Sequence, residues 1–398
     1  MENSGVQKFE KASCSACGGE NLDLVIELPD FPLTGVYVKE EQKKNTNLDQ
    51  GLCLCSSCGH GQLLYTIDPN TIYDQTYFHR SSESPIATMG NDFFSIFLEK
   101  ITSGRKFKSI VEVGCNDLYL LKKIAHQADQ LLGVDPIWKG NDHVVDGKIQ
   151  VAGGFIEDVD FTQFLGEKPD LIVSAHTFEH IDSPIEVFQN LVDKAADNAT
   201  FVVEVPGFDS LLNINRFDQI FHQHIQYFSV ASFRSMISKL RCEYLTHTFN
   251  YSYWGGTLLI AFRKGWTAKS DDAETSLKPT VEHCKNSFLQ FKTQLESVMS
   301  VLDNIDGVIY GFGGAQMLPT LAYHMGTDLS FLECILDDNP DRHGLTYPHL
   351  RARIKRPSAS LDLSDASVLI TALDSARPIM KRIIDLNPKY VVKPLCLF

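Results

Sequence analysis

Two cysteine pairs near the N-terminus carry the plainest chemistry in the chain. Cys14-Ser-Ala-Cys17 and Cys55-Ser-Ser-Cys58 are both C-x-x-C knuckles, and each is followed by glycine. Two intervening residues let both sulfurs reach one ion, and two such pairs supply four soft ligands in a tetrahedron. That pattern predicts a closed structural zinc site, against a redox dithiol as the other use of such a spacing. Cys53 falls off the spacing and is expected to stand by. The knuckles bracket too few residues for a large core, so metal binding is expected to fold this module.

A second group sits where strands run into loops. Val111-Glu112-Val113-Gly114-Cys115-Asn116-Asp117 reads as a buried strand, a sharp turn at Gly114 and the start of a helix. Asp135 ends the next strand, in Gly-Val-Asp-Pro, where a carboxylate can bind both ribose hydroxyls of an adenosine cofactor. A dinucleotide would need glycines where Asn116 and Tyr119 stand, for close approach of its pyrophosphate. An ammonium-bearing cofactor instead welcomes Glu112 and Asp117, so S-adenosylmethionine is expected. Phe155 and His176 join Glu112, Gly114, Asn116, Asp117 and Asp135 as cofactor candidates, and Trp138 is a candidate to stack on the adenine. The alternative is a bare strand–helix turn without ligand.

Around these residues strands and helices alternate from residue 108 onwards, which predicts a parallel sheet covered on both faces. SYWGGTLLIAFRK reads as an antiparallel edge strand, and 268–303 as a linker helix. A second strand–helix series follows, with Tyr310-Gly-Phe-Gly-Gly-Ala315 as its first loop. The expected fold is α/β: a zinc-binding module over 1–75, a central Rossmann-like methyltransferase domain over 76–266, a linker helix over 267–303, and a Rossmann-like domain over 304–398. With 50 acidic and 36 basic side chains in 398 residues, the net charge of −14 argues against a nucleic-acid or anionic-membrane binder. The N-terminus has no apolar leader and no run approaches a membrane span, so a cytoplasmic protein is expected.

These motifs occur in one order: the paired knuckles, VEVGCND, GVDP, HTFEHI, EVPGFDSLL with RFDQIFHQHIQYFS, the WGG strand, and YGFGGAQ with LDDNPDRHG. The arrangement resembles the three-domain sugar C-methyltransferases of deoxysugar pathways along nearly the whole chain. The resemblance implies S-adenosylmethionine and structural zinc as cofactors. It implies a dTDP- or GDP-linked 4-keto-6-deoxyhexose as substrate, methylated at C-3 beside the ketone. Such chemistry needs a base at C-3 and a donor near the ketone oxygen.

By the same resemblance His224 is the base and His180 stands near the ketone or enolate oxygen. His222 and Gln223 complete the candidate catalytic set, the two histidines falling on one side if their segment is extended. The residues alone fit locally satisfied polar histidines as well. Tyr77, Ser81 and Ser82 match a sugar-contacting loop or a solvated linker. Gly255 and Gly256 let backbone approach the ligand, and Gly311 and Gly313 form the second loop. Departures from the family stand at Phe221 and Gln223, in place of tyrosine and glutamate, and at Leu118, in place of glycine. The arginine that usually follows the paired glycines is missing too. A sugar O- or N-methyltransferase, and a binding protein that has lost its chemistry, are the competing readings.

Overall fold

Runs such as Ile110–Val111, Leu171–Val173 and Phe201–Val205 carry apolar side chains at consecutive positions, which suits strands buried on both faces. In the computed structural model, which describes residues 8–43, 47–67, 80–141, 143–145, 147–265, 278–358 and 360–395, they form the middle of an eight-stranded sheet. Its order is Cys242–Asn250, Thr257–Lys264, Thr200–Pro206, Leu171–Ala175, Phe107–Val113, Ala128–Val134, Ile149–Ala152 and His143–Val145. The pairings from Thr200–Pro206 to Ile149–Ala152 are parallel, and those at the two margins antiparallel. Thr257–Lys264 is antiparallel as expected but is not the edge. Cys242–Asn250, half-exposed along most of its length, takes that place.

The helix Pro85–Thr102 starts at Ser84, whose Oγ accepts the Ala87 N–H at 3.3 Å, and Pro85 occupies the first turn. It buries Phe94, Phe97 and Leu98 against the sheet. On the opposite face Pro184–Lys194 buries Val187, Phe188, Leu191 and Val192.

Four antiparallel strands make the N-terminal sheet, in the order Gln226–Tyr227, Gly61–Leu63, Leu48–Cys55 and Leu22–Phe31. The first of these comes from the central part of the chain, so the two units share a sheet. A five-stranded parallel sheet lies at the C-terminal end, with Val308–Phe312 at its centre. The expected linker helix occupies Val281–Asp303 and buries Cys284, Phe291, Leu295 and Leu302. These side chains pack in one core with Ile26 and Leu52 of the N-terminal sheet and Leu318 and Ile335 of the C-terminal unit. Sequence polarity made the segment read as a tether, but one apolar stripe is enough to make it a spine.

Candidate active site and zinc module

Each knuckle turns on a left-handed glycine, Gly18 at φ 71° and Gly59 at φ 76°. Their N–H groups donate to the carbonyls of Cys14 and Cys55 at 2.7 and 2.8 Å. The four thiols thereby converge: Cys14 and Cys58 sulfurs are 3.7 Å apart, Cys17 and Cys55 sulfurs 3.6 Å, and all four lie within 4.8 Å of one another. Zn–S bonds of 2.3 Å at tetrahedral angles put sulfurs about 3.8 Å apart, so the donor set fits zinc. Lys239 donates to the Cys17 carbonyl and Lys278 to that of Ser56, which offsets the negative charge of four thiolates. Cys53 is buried and outside the group; burial pushes its thiol up to about 11.

The cofactor candidates gather at the carboxyl ends of the parallel strands. Gly114 has φ 74°, and a Cβ there would lie 2.0 Å from Thr177 Oγ1. Two loops therefore approach each other at a position that only glycine fits. The next loop is held by Asp135, which accepts the Asn116 N–H at 2.9 Å and the Ile137 N–H at 3.0 Å. Glu112 is buried, burial pushes its carboxyl well above the usual range, and its Oε2 has no partner among the described residues. Asp117 Oδ1 likewise lacks one, while its Oδ2 accepts the Ser82 N–H at 2.9 Å. Buried acceptors without donors suit a ligand that brings an ammonium group, so these residues fit S-adenosylmethionine.

Trp138 donates to the Asn116 carbonyl at 2.7 Å and is braced by it, and Phe155 is largely exposed. Leu118 adopts φ 67°, the left-handed conformation that a glycine would take without cost, while its side chain is 1% exposed in the core. Tyr77 lies outside the described residues.

His222 and His224 do not share a side. The segment turns, with the His224 N–H donating to the Phe221 carbonyl at 3.1 Å, so the extended-chain expectation gives way. His222 faces the N-terminal module: its Nε2 meets the Phe31 carbonyl at 3.2 Å and its Nδ1 the Gln50 amide at 3.3 Å. Gln223 also points away, exchanging hydrogen bonds with Thr34 at 2.9 and 3.1 Å.

His224 instead faces His180, at 4.8 Å between ring centroids, and Glu179, whose Oε1 is 4.0 Å from its Nε2. Burial, then the charges of His180 and His176, hold His224 well below the usual histidine range. His180 Nδ1 is 2.8 Å from the Gln223 carbonyl, which can only accept, so Nδ1 carries the proton. His176, at φ 54°, pairs with Glu179 Oε1 at 3.1 Å. Burial alone would depress His176, but Glu179 and Glu204 outweigh it and raise it.

Glu179 and Glu204 were not singled out in the sequence. The signal was present: an acid between Phe178 and His180, and another inside the apolar strand Thr200–Pro206. Glu204 Oε1 accepts the Thr257 hydroxyl at 2.5 Å, and burial raises its carboxyl. Trp254 lies 6.2 Å from His224, at φ 47°, and leads into Gly255 at φ 67° and Gly256 at φ 120°. A Cβ on Gly255 would stand 3.0 Å from Arg216 Nη1, and one on Gly256 2.6 Å from Ser210. Arg216 is fully buried, paired with Asp218 at 2.8 and 2.9 Å and with Asp374 of the C-terminal unit at 3.0 Å. The carboxyl end of the second sheet thus faces the histidine cluster.

Gly311 and Gly313 are not brought to that cluster. A Cβ on Gly313 would lie 2.4 Å from that of Ala372, and the Gly314 N–H donates to Asp337 at 2.6 Å. Tyr37 and Tyr347 donate to the carbonyls of Gly314 and Ala315 at 2.9 and 2.7 Å. This loop closes on its own neighbours.

Three family profiles match along the chain: a zinc binding domain over 14–73, a methyltransferase domain over 91–247, and a C-methyltransferase C-terminal domain over 266–392. Together the three profiles span most of the chain, in the order zinc binding domain, methyltransferase domain and C-methyltransferase C-terminal domain. The zinc binding profile spans Cys14, Cys17, Cys55 and Cys58, and the matched domains take structural zinc and S-adenosylmethionine as cofactors. The C-methyltransferase NovU of Streptomyces niveus is 26% identical over 234 residues, which cover 55% of this chain. That match spans about half of NovU, 53% of its length. Among solved structures, the N-methyltransferase NodS of Bradyrhizobium japonicum WM9 with S-adenosyl-L-homocysteine aligns at TM-score 0.35 and 14% identity, over 46% of this chain and 89% of that one. Magnesium protoporphyrin IX methyltransferase of Synechocystis PCC 6803 aligns at TM-score 0.35 and 10% identity, over 45% and 84%. Among the described residues no helix is long and apolar enough to cross a membrane.

Proposed function

We propose that the protein is an S-adenosylmethionine-dependent C-methyltransferase that methylates C-3 of a nucleotide-linked 4-keto-6-deoxyhexose, with His224 as the base. The observation that supports this most is the cluster of His224, His180 and Glu179, set between the cofactor loops and the second sheet. An ordinary sugar C–H is too weak an acid to lose its proton, and a neighbouring ketone makes an enolate accessible.

His224 is buried and held neutral, the form that accepts a proton. The C-3–H bond breaks, its proton moves to His224, and its electron pair passes into the C-4 oxygen. S-adenosylmethionine, when bound, would supply an electrophilic methyl for the carbanion at C-3 and would carry away the electron pair of its methyl–sulfur bond. His180 gives Nδ1–H to Gln223, so it offers a second donor, at Nε2, only when doubly protonated. Stabilising the enolate oxygen therefore requires its imidazolium. Glu112, Asp117 and Asp135 hold the cofactor, and Ser82, fixed on Asp117, brings the Ser81–Glu83 turn beside it.

Proton NMR in D2O with S-adenosylmethionine and a dTDP- or GDP-4-keto-6-deoxyhexose tests the reading. Loss of the C-3 proton signal with a new methyl singlet on a quaternary carbon is expected. A methyl on oxygen or nitrogen, or retention of the C-3 proton with every such sugar, overturns it.

A further inference from the structure

We propose that Glu179 is the positioning carboxylate of this site: it selects which nitrogen of His224 receives the proton and takes up the charge that results. The inference deepens the reading of His224 as base and rests on it.

The backbone places Glu179 there. Ile225 N–H donates to the Glu179 carbonyl at 2.8 Å, His180 Nδ1–H donates to the Gln223 carbonyl at 2.8 Å, and the Gln226 amide reaches the Ile181 carbonyl at 2.9 Å. Three hydrogen bonds thus stitch the Phe178–His180 turn to the loop that carries His224. Glu179 itself is 0% exposed. Its Oε1 lies between His176 Nδ1, at 3.1 Å, and His224 Nε2, at 4.0 Å, and its Oε2 has no partner among the described residues. A buried carboxylate with unused acceptor capacity is costly unless a donor reaches it. A movement of about 1 Å brings His224 Nε2 into hydrogen-bond range, and such bonds commonly tighten only when substrate is bound.

With Nε2–H directed at Glu179, the lone pair of neutral His224 sits on Nδ1. The C-3 proton then moves to Nδ1, the C–H electron pair passes to the C-4 oxygen, and the imidazolium keeps its Nε2–H on Glu179. The groups facing His224 are Glu179, His180 and His176 from the turn after Leu171–Ala175. Tyr253 follows from the loop before Thr257–Lys264, with Glu204 beyond His176 and Asp374 beyond Trp254. His180 and His176 oppose a cation on His224; Glu179 favours one. The Gln223 amide, tied to Thr34, does not compete for this place.

Two-bond proton–nitrogen spectra of histidine-labelled full-length protein give a readout that needs no substrate, with His224→Gln and His176→Gln assigning the signals. In the wild type, His224 is expected as the Nε2–H tautomer. Glu179→Leu is expected to give a mixture of tautomers and to lower the His176 titration midpoint by at least one pH unit, and Glu179→Asp to retain most of the wild-type pattern. In the C-3 exchange assay, Glu179→Leu should lower kcat at least tenfold with KM changed less than twofold, and Glu179→Asp should recover part of it. A folded Glu179→Leu protein whose His224 tautomer is unchanged overturns the proposal. If Glu179→Leu does not fold, Glu179→Gln takes its place: a mixture of His224 tautomers in it supports the proposal, and a His224 pattern identical to wild type overturns it. A tautomer change in Glu179→Leu without C-3 exchange in wild type would remove the sugar reading and leave the orienting role of Glu179 standing.

Discussion

His222 and His224 stand two positions apart and meet opposite demands. His222 is held neutral in the wall between two units, and burial pushes it down to about 4. Its folded value lies below the unfolded one of about 6.5, so the unfolded chain binds more protons in between. Stability from this residue is full above pH 6.5, falls as pH drops, and is lost by about pH 4, a penalty of about 3 kcal/mol. Urea unfolding at pH 7 and pH 4.5 should show wild type losing more stability than His222→Gln, and equal losses would contradict this. His224→Ala should abolish methyl transfer while far-UV circular dichroism stays native; near-full activity would sink its assignment as base. Gly114→Ala pushes a Cβ to 2.0 Å from Thr177 Oγ1 at a left-handed residue. We expect a cost of about 1–3 kcal/mol and at least tenfold weaker S-adenosylhomocysteine binding by calorimetry. Binding at wild-type affinity would show that the two loops can separate without consequence.

Among the elements, the knuckles and the strand pattern were readable because each follows from local chemistry: two-residue spacing for sulfurs, unbroken apolar runs for strands buried on both faces. Gln226–Tyr227 was not readable, since two residues carry no periodicity and their partner strand lies far back in the chain. That strand ties the zinc module to the loop of His224. Cys17→Ser, or chelation, should remove the metal measured by atomic emission and also lower amide-exchange protection at Gln226 and Tyr227. Protection there that survives loss of zinc would show the sheet to be independent of the metal. Phe291, wholly buried on Val281–Asp303, should cost about 3–5 kcal/mol as alanine, far more than a tether could.

Over the whole molecule, the parallel strands of two sheets turn their carboxyl ends towards one junction, where Arg216 is held by Asp218 from its own unit and by Asp374 from the other. Asp374→Asn should loosen that contact and cost about 1–3 kcal/mol in urea unfolding. Unchanged unfolding would make the contact incidental. Sequence named His180, His224 and the cofactor loop because they lie in compact motifs. It missed Glu179, Arg216 and Asp374 as site members because their meaning arises only when distant segments meet. One consequence concerns synthesis on the ribosome. Three strands of the N-terminal sheet are complete at Leu63, whereas the fourth arrives only with Gln226–Tyr227. At ordinary elongation rates that interval is on the order of 10–30 s, during which the Gly61–Leu63 edge is a bare template for any passing strand. Early zinc capture by the nascent chain would then act as a chaperone, keeping the first unit in register until its last strand emerges.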